Sequence, residues 1–556
     1  MRGLKMAEIT VNKKTVKEYL EQGQKSKFII PEYQREYSWT KDECETLWED
    51  VLNFYNSKDK EYFIGTIVTF KNDEGNFEII DGQQRTTTLF LLLRAIYSKL
   101  ETMTEDDNVN GLKGQIAPCL WKINNITRKA NDFSQTNIKS LSATDTHNSV
   151  FQEILEKGKT ESNNNNFGKN YQYFEHKIAE FAGDQPFKFY EFIVQILERL
   201  ILMPIEADNQ DSALTIFSTL NDRGLSLSDS DIFKAKIYKK LTDDDKEVFI
   251  ENWKSLSERV GQLKVVKNID NLFYCYMMYI RAGNGDTDTT TQGLRKFYSR
   301  DNFEVLNQKD LFRNILYLAD LFEYVEQLSG IEEWQNEFEI NKNIDILRNF
   351  PNEWWKYPLC TFYLNHRTRT DFKFKFQTFL EEFVKTLLTK FAENPSVNNI
   401  KGIVLEINRQ VYDSLSFSLN LNVKEEDVRR NLKRRNKFTK DILILYTYLS
   451  GEVDLLPEIT EIEHILPQNN KGILSQNELE LAKEKVDYLG NKILLEKKIN
   501  IKASNNYFEN KKAEYHKSKI VLVQKLANQI QDEFSPKMID ERQVEIENTI
   551  LKFFKI

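Results

Sequence analysis

"IIDGQQRTTTLFLLL", residues 79–93, passes from an apolar, strand-like run through a glycine-bearing polar turn into a second apolar run that fits a buried helix. Such a strand–turn–helix aims backbone N–H groups and a helix N-terminus at one spot, which suits an anion. Arg85 adds a guanidinium fork for a phosphate, Gln83 and Gln84 carry amide donors, and Thr86 and Thr87 put hydroxyls in the first helical turn beside Gly82. Asp81 can hold a metal ion or orient Arg85. An ordinary solvated turn between strand and helix accounts for the stretch equally well. It is not a Walker A loop, because no G-x-x-x-x-G-K-[ST] occurs here.

The surrounding sequence sets this turn in a mixed domain. "EYFIGTIVTF" (61–70), "FEII" (77–80) and "RLILMPIEA" (199–207) read as strands, and "TTTLFLLLRAIYSKLE" (86–101) as a buried helix. Residues 101–175 are polar, and "SNNNN" (162–166) reads as a loop. Helical patterns then dominate to about 440, broken by the Gly/Asp/Thr loop "AGNGDTDTTTQG" (282–293). Short strands return in 441–556, which ends in a Lys-rich helix; no internal repeat is visible. At 556 residues the chain is too long for one core. It has no apolar run of about 18 residues, so no spanning helix is expected. "MRGLKMAEITVNKKTVKEYL" lacks the apolar centre of a signal peptide, and Cys44, Cys119, Cys275 and Cys360 form no C-x-x-C pair. Both features predict a reducing cytoplasm and argue against a disulfide framework or thiolate zinc. The net charge of −8 means that a nucleic-acid partner must be held by local basic patches.

A second chemical stretch is "EIEHILPQN" (461–469), followed by "YLGNKILLEKKINIKASNNYFENKKAEY" (488–515). A ββα-metal nuclease needs a histidine at the end of a first strand to deprotonate water, a loop residue that braces it, and an acid beside it. That acid and a residue on the following helix hold one divalent ion. His464 fills the place of the base, Asn491 that of the brace, and Glu463 with Asn500 that of the metal ligands, in the required order. Lys511 and Lys512 follow on a helix where they can meet phosphates. A lone His464 would read as a satisfied core histidine; the company it keeps favours the nuclease. "RRNLKRRNKFTK" (429–440), with Arg434, Arg435 and Lys437 at its centre, fits either a DNA-backbone track or a solvated helix face balanced by "KEEDV". "PNEWWKYP" (351–358) fits a helix-bundle core better than a stacking platform. His147, His176, His366 and His516 have no partners at ligand spacing and read as structural or surface residues.

Two further segments complete the picture. "IIPEYQREYSW" (29–39) interleaves Tyr33, Tyr37 and Trp39 with Gln34 and Arg35, a pattern suited to a nucleobase or to a core-lining turn. "FSTLNDRGLSLSDSDIFKAKIY" (217–238) holds a turn at Asn221, Asp222 and Gly224, capping candidates Ser228 and Asp229, and Arg223 and Lys234 as phosphate contacts. With the D-G-Q-Q-R turn these segments resemble, in order, the I-P-x-Y-Q-R-x-Y-x-W, D-G-Q-Q-R and N-x-R-G-x-x-L-S motifs of the N-terminal domain of GmrSD-type restriction proteins, a ParB/sulfiredoxin-like domain. "LGNKILL", Asn500 and "FENKK" resemble the HNH (His-Me finger) domain that forms the C-terminal half of the same proteins, although Asn500 stands where His is commoner.

The resemblance implies an α+β multidomain chain. Its parts would be a ParB-like α/β domain (1–240), a helical lobe (241–430) and a ββα-metal domain embedded in C-terminal helices (431–556). It implies a type IV, modification-dependent DNA endonuclease of phage defence. A nucleotide (GTP, ATP, CTP or UTP) would bind around Asp81 to Thr86 with Gln34 and Arg35, and Mg²⁺ or Mn²⁺ would sit at Glu463 and Asn500. The expected partner is base- or backbone-modified phage DNA, with no membrane; a homodimer is compatible with the sequence. Two rivals stay open: a toxin nuclease acting on unmodified DNA or RNA, and a nucleotide-dependent DNA-binding switch that does not cut.

Overall fold

The computed structural model describes residues 10–142, 145–160, 164–220, 228–433, 438–452, 454–467, 476–531 and 533–556. The chain divides into two compact units, Met1–Ile250 and Glu251–Ile556. Residues 251–430 of the expected helical lobe and the expected nuclease stretch both fall in the second unit, and residues 241–250 in the first. The α+β, multi-unit architecture agrees with the sequence reading. Among the described residues no helix is long and apolar enough to cross a membrane.

The first unit is built on a seven-stranded mixed sheet. Its strands are β1 (Thr10–Val11), β2 (Lys14–Thr15), β3 (Phe28–Ile30), β4 (Tyr62–Lys71), β5 (Phe77–Asp81), β6 (Ile138–Ser140) and β7 (Leu200–Ala207). The order is β1-β7-β4-β5-β3-β6, with β2 also on β7. β4 and β5 form an antiparallel hairpin, while β4–β7, β3–β5 and β3–β6 are parallel. Side chains alternate across the sheet. Phe28, Ile30, Phe77 and Ile79 enter one core with Leu89 to Leu93 of α1 (Gln83–Glu101). Val68, Phe70, Ile80 and Ile205 enter a second core on the other face, against α2 (Gln210–Leu220) and Ala235 of α3 (Asp229–Lys240).

Helix α1 tolerates its threonine run because the hydroxyls have local partners. Thr88 Oγ1 donates to Gln84 O at 2.8 Å, and Thr86 Oγ1 lies 3.1 Å from the Tyr19 hydroxyl. The turn into α1 requires Gly82, whose φ is +84°. The polar stretch 101–175 is richer in structure than expected, with helices at Asp107–Leu120 and Asp145–Lys157 and the start of Asn166–Asp184. Asn165, from the expected "SNNNN" loop, caps the last of these through Gly168 N at 3.0 Å. The loop expected at 282–293 follows helix Ile269–Gly283.

In the second unit, the described residues from Glu251 to Leu449 are mostly helical. Its core is rich in aromatics; Phe362 and Phe379 stack with centroids 4.3 Å apart, and Trp355 of "PNEWWKYP" is buried, as the core reading expected. His366 is buried, its Nε2 3.0 Å from Val411 O. After α4 (Glu425–Lys433) come β8 (Thr460–His464) and β9 (Lys492–Glu496), paired antiparallel from Thr460 opposite Glu496 to His464 opposite Lys492. Helices α5 (Lys497–Ala503), α6 (Phe508–Tyr515) and α7 (Pro536–Phe554) follow.

Candidate active site

The period of two along β8 sends Glu461 and Glu463 to one face and turns His464 to the other, at the strand's last residue. The Glu463 carboxylate is buried. Its Oε1 meets the Lys511 ammonium at 2.6 Å and accepts from the Tyr515 hydroxyl at 3.1 Å. Lys511, 1 % exposed, also donates to His464 O at 2.6 Å. Burial pushes the Glu463 carboxyl above its ordinary range, while the Lys511 charge pulls against that shift; burial lowers Lys511, and the Glu463 carboxylate opposes that lowering.

His464 is half-buried, with Nε2 3.8 Å from Asp487 Oδ1. Lys492, directly across the strand pair, places its ammonium 3.2 Å from Asp487 Oδ1 and donates to Asp487 O at 2.6 Å. Burial, then the Lys492 charge, hold the imidazole below the ordinary histidine range; Asp487 opposes them. That shift favours the neutral ring, the form able to accept a proton.

Asn491 is fully buried, just before β9. Its Oδ1 accepts from Leu466 N at 2.7 Å, and its Nδ2 donates to Leu466 O at 3.1 Å and Val486 O at 3.0 Å. It therefore clamps the chain that leaves His464; the sequence reading made it the brace of that histidine. Asn500, on α5, donates through Nδ2 to Glu461 Oε2 at 3.1 Å, so its observed carboxylate partner is Glu461 and not Glu463. Glu461, Asp487, Lys492 and Tyr515 were not singled out from sequence. Glu461 was visible there, two residues before Glu463 on the same strand; Asp487 belongs to no motif.

Among the described residues no three His, Cys, Asp or Glu side chains converge as metal ligands. A hard divalent ion needs only one or two protein oxygens and completes its shell with water. The carboxylates of Glu461 and Glu463 and the Asn500 amide supply oxygen donors of that kind, so the donor chemistry fits Mg²⁺ or Mn²⁺.

The basic residues correct the sequence reading. Lys511 does not face phosphates: α6 packs against the end of β8, and the buried Glu463 takes its ammonium as counter-ion. Lys512 donates to Ile530 O at 2.8 Å and is also part-buried. On α4, Arg429 pairs with Glu425 at 2.7 Å and Glu547 at 3.3 Å, and Arg430 pairs with Asp427 at 2.6 Å. Arg434, Arg435 and Lys437 lie outside the described residues.

In the first unit the sequence-predicted segments meet. Gln34 Nε2 donates to Ile80 O at 3.1 Å. Gln84 Oε1 accepts from Ser38 N at 2.7 Å and Trp39 N at 3.2 Å, while its Nε2 donates to Glu36 O at 3.0 Å. These two amides staple segment 29–39 to the turn, so they position the site rather than stand free for a ligand. Tyr37 is core, stacked on Phe167 at 4.9 Å. Gln83 and Thr86 are buried in the first turn of α1. Gly82 caps that helix without a side-chain hydrogen bond, leaving its N-terminus the anion-favouring end of a buried dipole.

Beside that turn, Arg85 Nη1 donates to Thr66 O at 3.0 Å. The guanidinium lies over Gly65, a bulge residue at φ +128°, where a Cβ would come within 2.6 Å of Arg85 Cζ. Burial raises Asp81, opposed by the Gly82 N–H and by the charges of Arg85 and exposed Arg35. The Arg35 charge also reaches Asp231, and Lys234 is pushed down to about 8 by burial, with Asp231, Glu36 and Glu32 opposing. Arg35, Asp81, Arg85, Asp231 and Lys234 thus form one part-buried charged cluster around the turn. The Asn221, Asp222, Arg223 and Gly224 turn lies outside the described residues; Ser228 caps α3, its Oγ accepting from Asp231 N at 3.1 Å.

Comparison with known proteins gives two matches. A family model described as "GmrSD restriction endonuclease, N-terminal domain" matches residues 16–238. One described as "GmrSD restriction endonucleases, C-terminal domain" matches residues 411–548, and together they cover more than half of the chain. No curated protein matches.

Proposed function

This chain belongs to the GmrSD restriction endonucleases, which act on DNA, and from that premise we propose that it is a modification-dependent endonuclease with its nuclease centre at residues 460–503. The observation that carries this reading is a strand ending in the half-buried His464 beside the buried carboxylate of Glu463. The antiparallel partner β9 leads directly into the helix that bears Asn500. That is the strand–loop–strand–helix order of a His-Me finger.

In this mechanism His464 takes a proton from the water that attacks the scissile phosphorus, and the leaving 3′ oxygen acquires a proton from solvent. Asn491 fixes the backbone beyond His464, so the imidazole starts from one position. Glu463 and Asn500, with Glu461 beside them, would hold one Mg²⁺ or Mn²⁺, which when bound supplies charge stabilisation at the phosphate. In the first unit, a ParB-like fold in this reading, the N-terminus of α1 with Arg85 binds the phosphates of an NTP and supports its hydrolysis. Arg35 and Lys234 complete the cationic rim. The same unit senses the DNA modification.

The test is digestion of matched modified and unmodified phage genomes, with and without each NTP and Mg²⁺, by wild type and His464→Ala. Cleavage restricted to modified DNA and lost in His464→Ala is expected, since a general base contributes about 10²–10⁴ in rate. Full cleavage by the variant sinks the nuclease centre. Equal cutting of both genomes replaces restriction by the toxin reading.

A further inference from the structure

We propose that Asp487, held by Lys492, is a positioning residue that fixes the imidazole of His464 through Nε2 and leaves Nδ1 to accept the proton from water; this rests on His464 being the base. Asp487 lies in "KEKVD" (483–487), ahead of the "LGN" motif and outside it. The register nevertheless brings Asp487 to the histidine: Lys492 sits directly across from His464, and the Lys492 ammonium grips Asp487 twice, at its carboxylate (3.2 Å) and at its carbonyl (2.6 Å). Lys492 is 1 % exposed, so the clamp is anchored in the interior while the carboxylate it holds stays half in solvent. The result is a chain Lys492–Asp487–His464 that ends on one ring nitrogen.

A carboxylate in that place accepts the Nε2 proton, selects the tautomer with a lone pair on Nδ1, and stabilises the imidazolium formed when Nδ1 takes the proton. The 3.8 Å separation is longer than a hydrogen bond, and catalytic contacts of this kind tighten when substrate binds. Asn491 cannot do the same work, because its amide is engaged by the backbone of Leu466 and Val486.

The experiment has a spectroscopic and a kinetic arm, both on the full chain. Only five histidines are present, so ¹⁵N-histidine labelling with His464→Ala identifies the His464 ring signals by subtraction. Wild type is expected to show the Nε2–H tautomer, and Asp487→Ala to lose that preference. In cleavage of modified phage DNA with Mg²⁺, Asp487→Ala should lower kcat on the order of 10–100-fold, the usual effect of removing the partner behind a functional histidine, with DNA affinity unchanged. Asp487→Asn, which preserves shape, should move both readouts in the same direction. In a His464→Ala background, Asp487→Ala should cost nothing further. Unchanged His464 ring signals in Asp487→Ala overturn the proposal, as does a kinetic loss that persists without His464. Wild-type cleavage by His464→Ala would remove the nuclease reading itself, an outcome distinct from an inactive His464→Ala beside a fully active Asp487→Ala.

Discussion

Lys511 and Glu463 form the most buried ion pair at the nuclease end, and their burial decides what each can do. From sequence, a lysine on a Lys-rich helix reads as a phosphate contact; the identities of Glu463, His464, Asn491 and Asn500 are legible there, but not which carboxylate meets which partner. That depends on α6 docking on β8, a tertiary event with no local signature. Removing one partner of a buried pair leaves the other charge stranded, at a cost of about 3–5 kcal/mol, whereas replacing both by apolar groups is often neutral. Lys511→Met should therefore lower unfolding stability by about that amount in urea titration, and Glu463→Leu with Lys511→Met should recover most of it. Recovery is not expected if Lys511 acts mainly through its bond to His464 O. The neighbouring histidine gives a pH prediction. Burial and Lys492 disfavour the imidazolium, so the folded pKa lies below the ordinary 6.5 and the neutral base persists to lower pH. The acid limb of the cleavage rate at saturating DNA should then fall below pH 6.5. A limb centred above that value would mean that another group controls the rate.

At the scale of elements, the two glycine turns show why motif residues take the form they do. In "LGN", Gly490 is needed because helix α7 presses on it: a Cβ there would lie 2.0 Å from Ile539 O and 2.8 Å from Gln543 N. Gln543 Oε1 accepts from Gly490 N at 3.0 Å, and Arg542 Nε donates to Gly490 O at 3.0 Å, so side chains of α7 hold the turn by its backbone. Gly490→Ala should push α7 away and destabilise by about 1–3 kcal/mol or more, visible as a lowered melting temperature. An unchanged melting temperature would mean that the turn shifts freely. The turn at Gly82 works differently, since Gly65, at the bulge of β4 against β7, leaves room for the Arg85 guanidinium. Arg85→Ala should weaken nucleotide binding through the lost fork. Gly65→Ala, which displaces the same guanidinium, should weaken it comparably in a fluorescent-nucleotide titration. Wild-type affinity in both variants would make the charged turn structural. Strands β4, β5 and β7 and helix α1 were legible because their apolar runs are dense. Helix Asn166–Asp184 was hidden in polar sequence, although Phe167, Tyr171, Phe174, Ile178 and Phe181 recur at helical spacing and are all buried.

For the whole molecule, a net charge of −8 opposes DNA, so binding must come from cations left available after internal pairing. That accounting narrows the basic track. Arg429 and Arg430 are already balanced by Glu425, Glu547 and Asp427, and Lys511 is buried against Glu463; of the other cations of the stretch (Lys433, Arg434, Arg435, Lys437 and Lys440), the central Arg434, Arg435 and Lys437 are the ones to test. Each phosphate neutralised by a protein cation releases counter-ions, so the slope of log K against log[salt] changes by roughly 0.9 per contact on duplex DNA. Neutralising Arg434, Arg435 and Lys437 together should flatten the slope by up to roughly 2.7 if all three touch phosphates. Affinity should fall alike on modified and unmodified DNA, because backbone contacts carry no sequence or base information. Replacing Arg429 and Arg430 instead should leave the slope near wild type, since cations held by carboxylates release few counter-ions on binding. The measurement is a salt titration of DNA binding for wild type and both variants on both kinds of DNA. An unchanged slope in the triple variant makes "RRNLKRRNKFTK" a solvated helix end. A loss confined to modified DNA would instead move discrimination out of the first unit and into the second, because only a contact that differs between the two DNAs can separate their affinities.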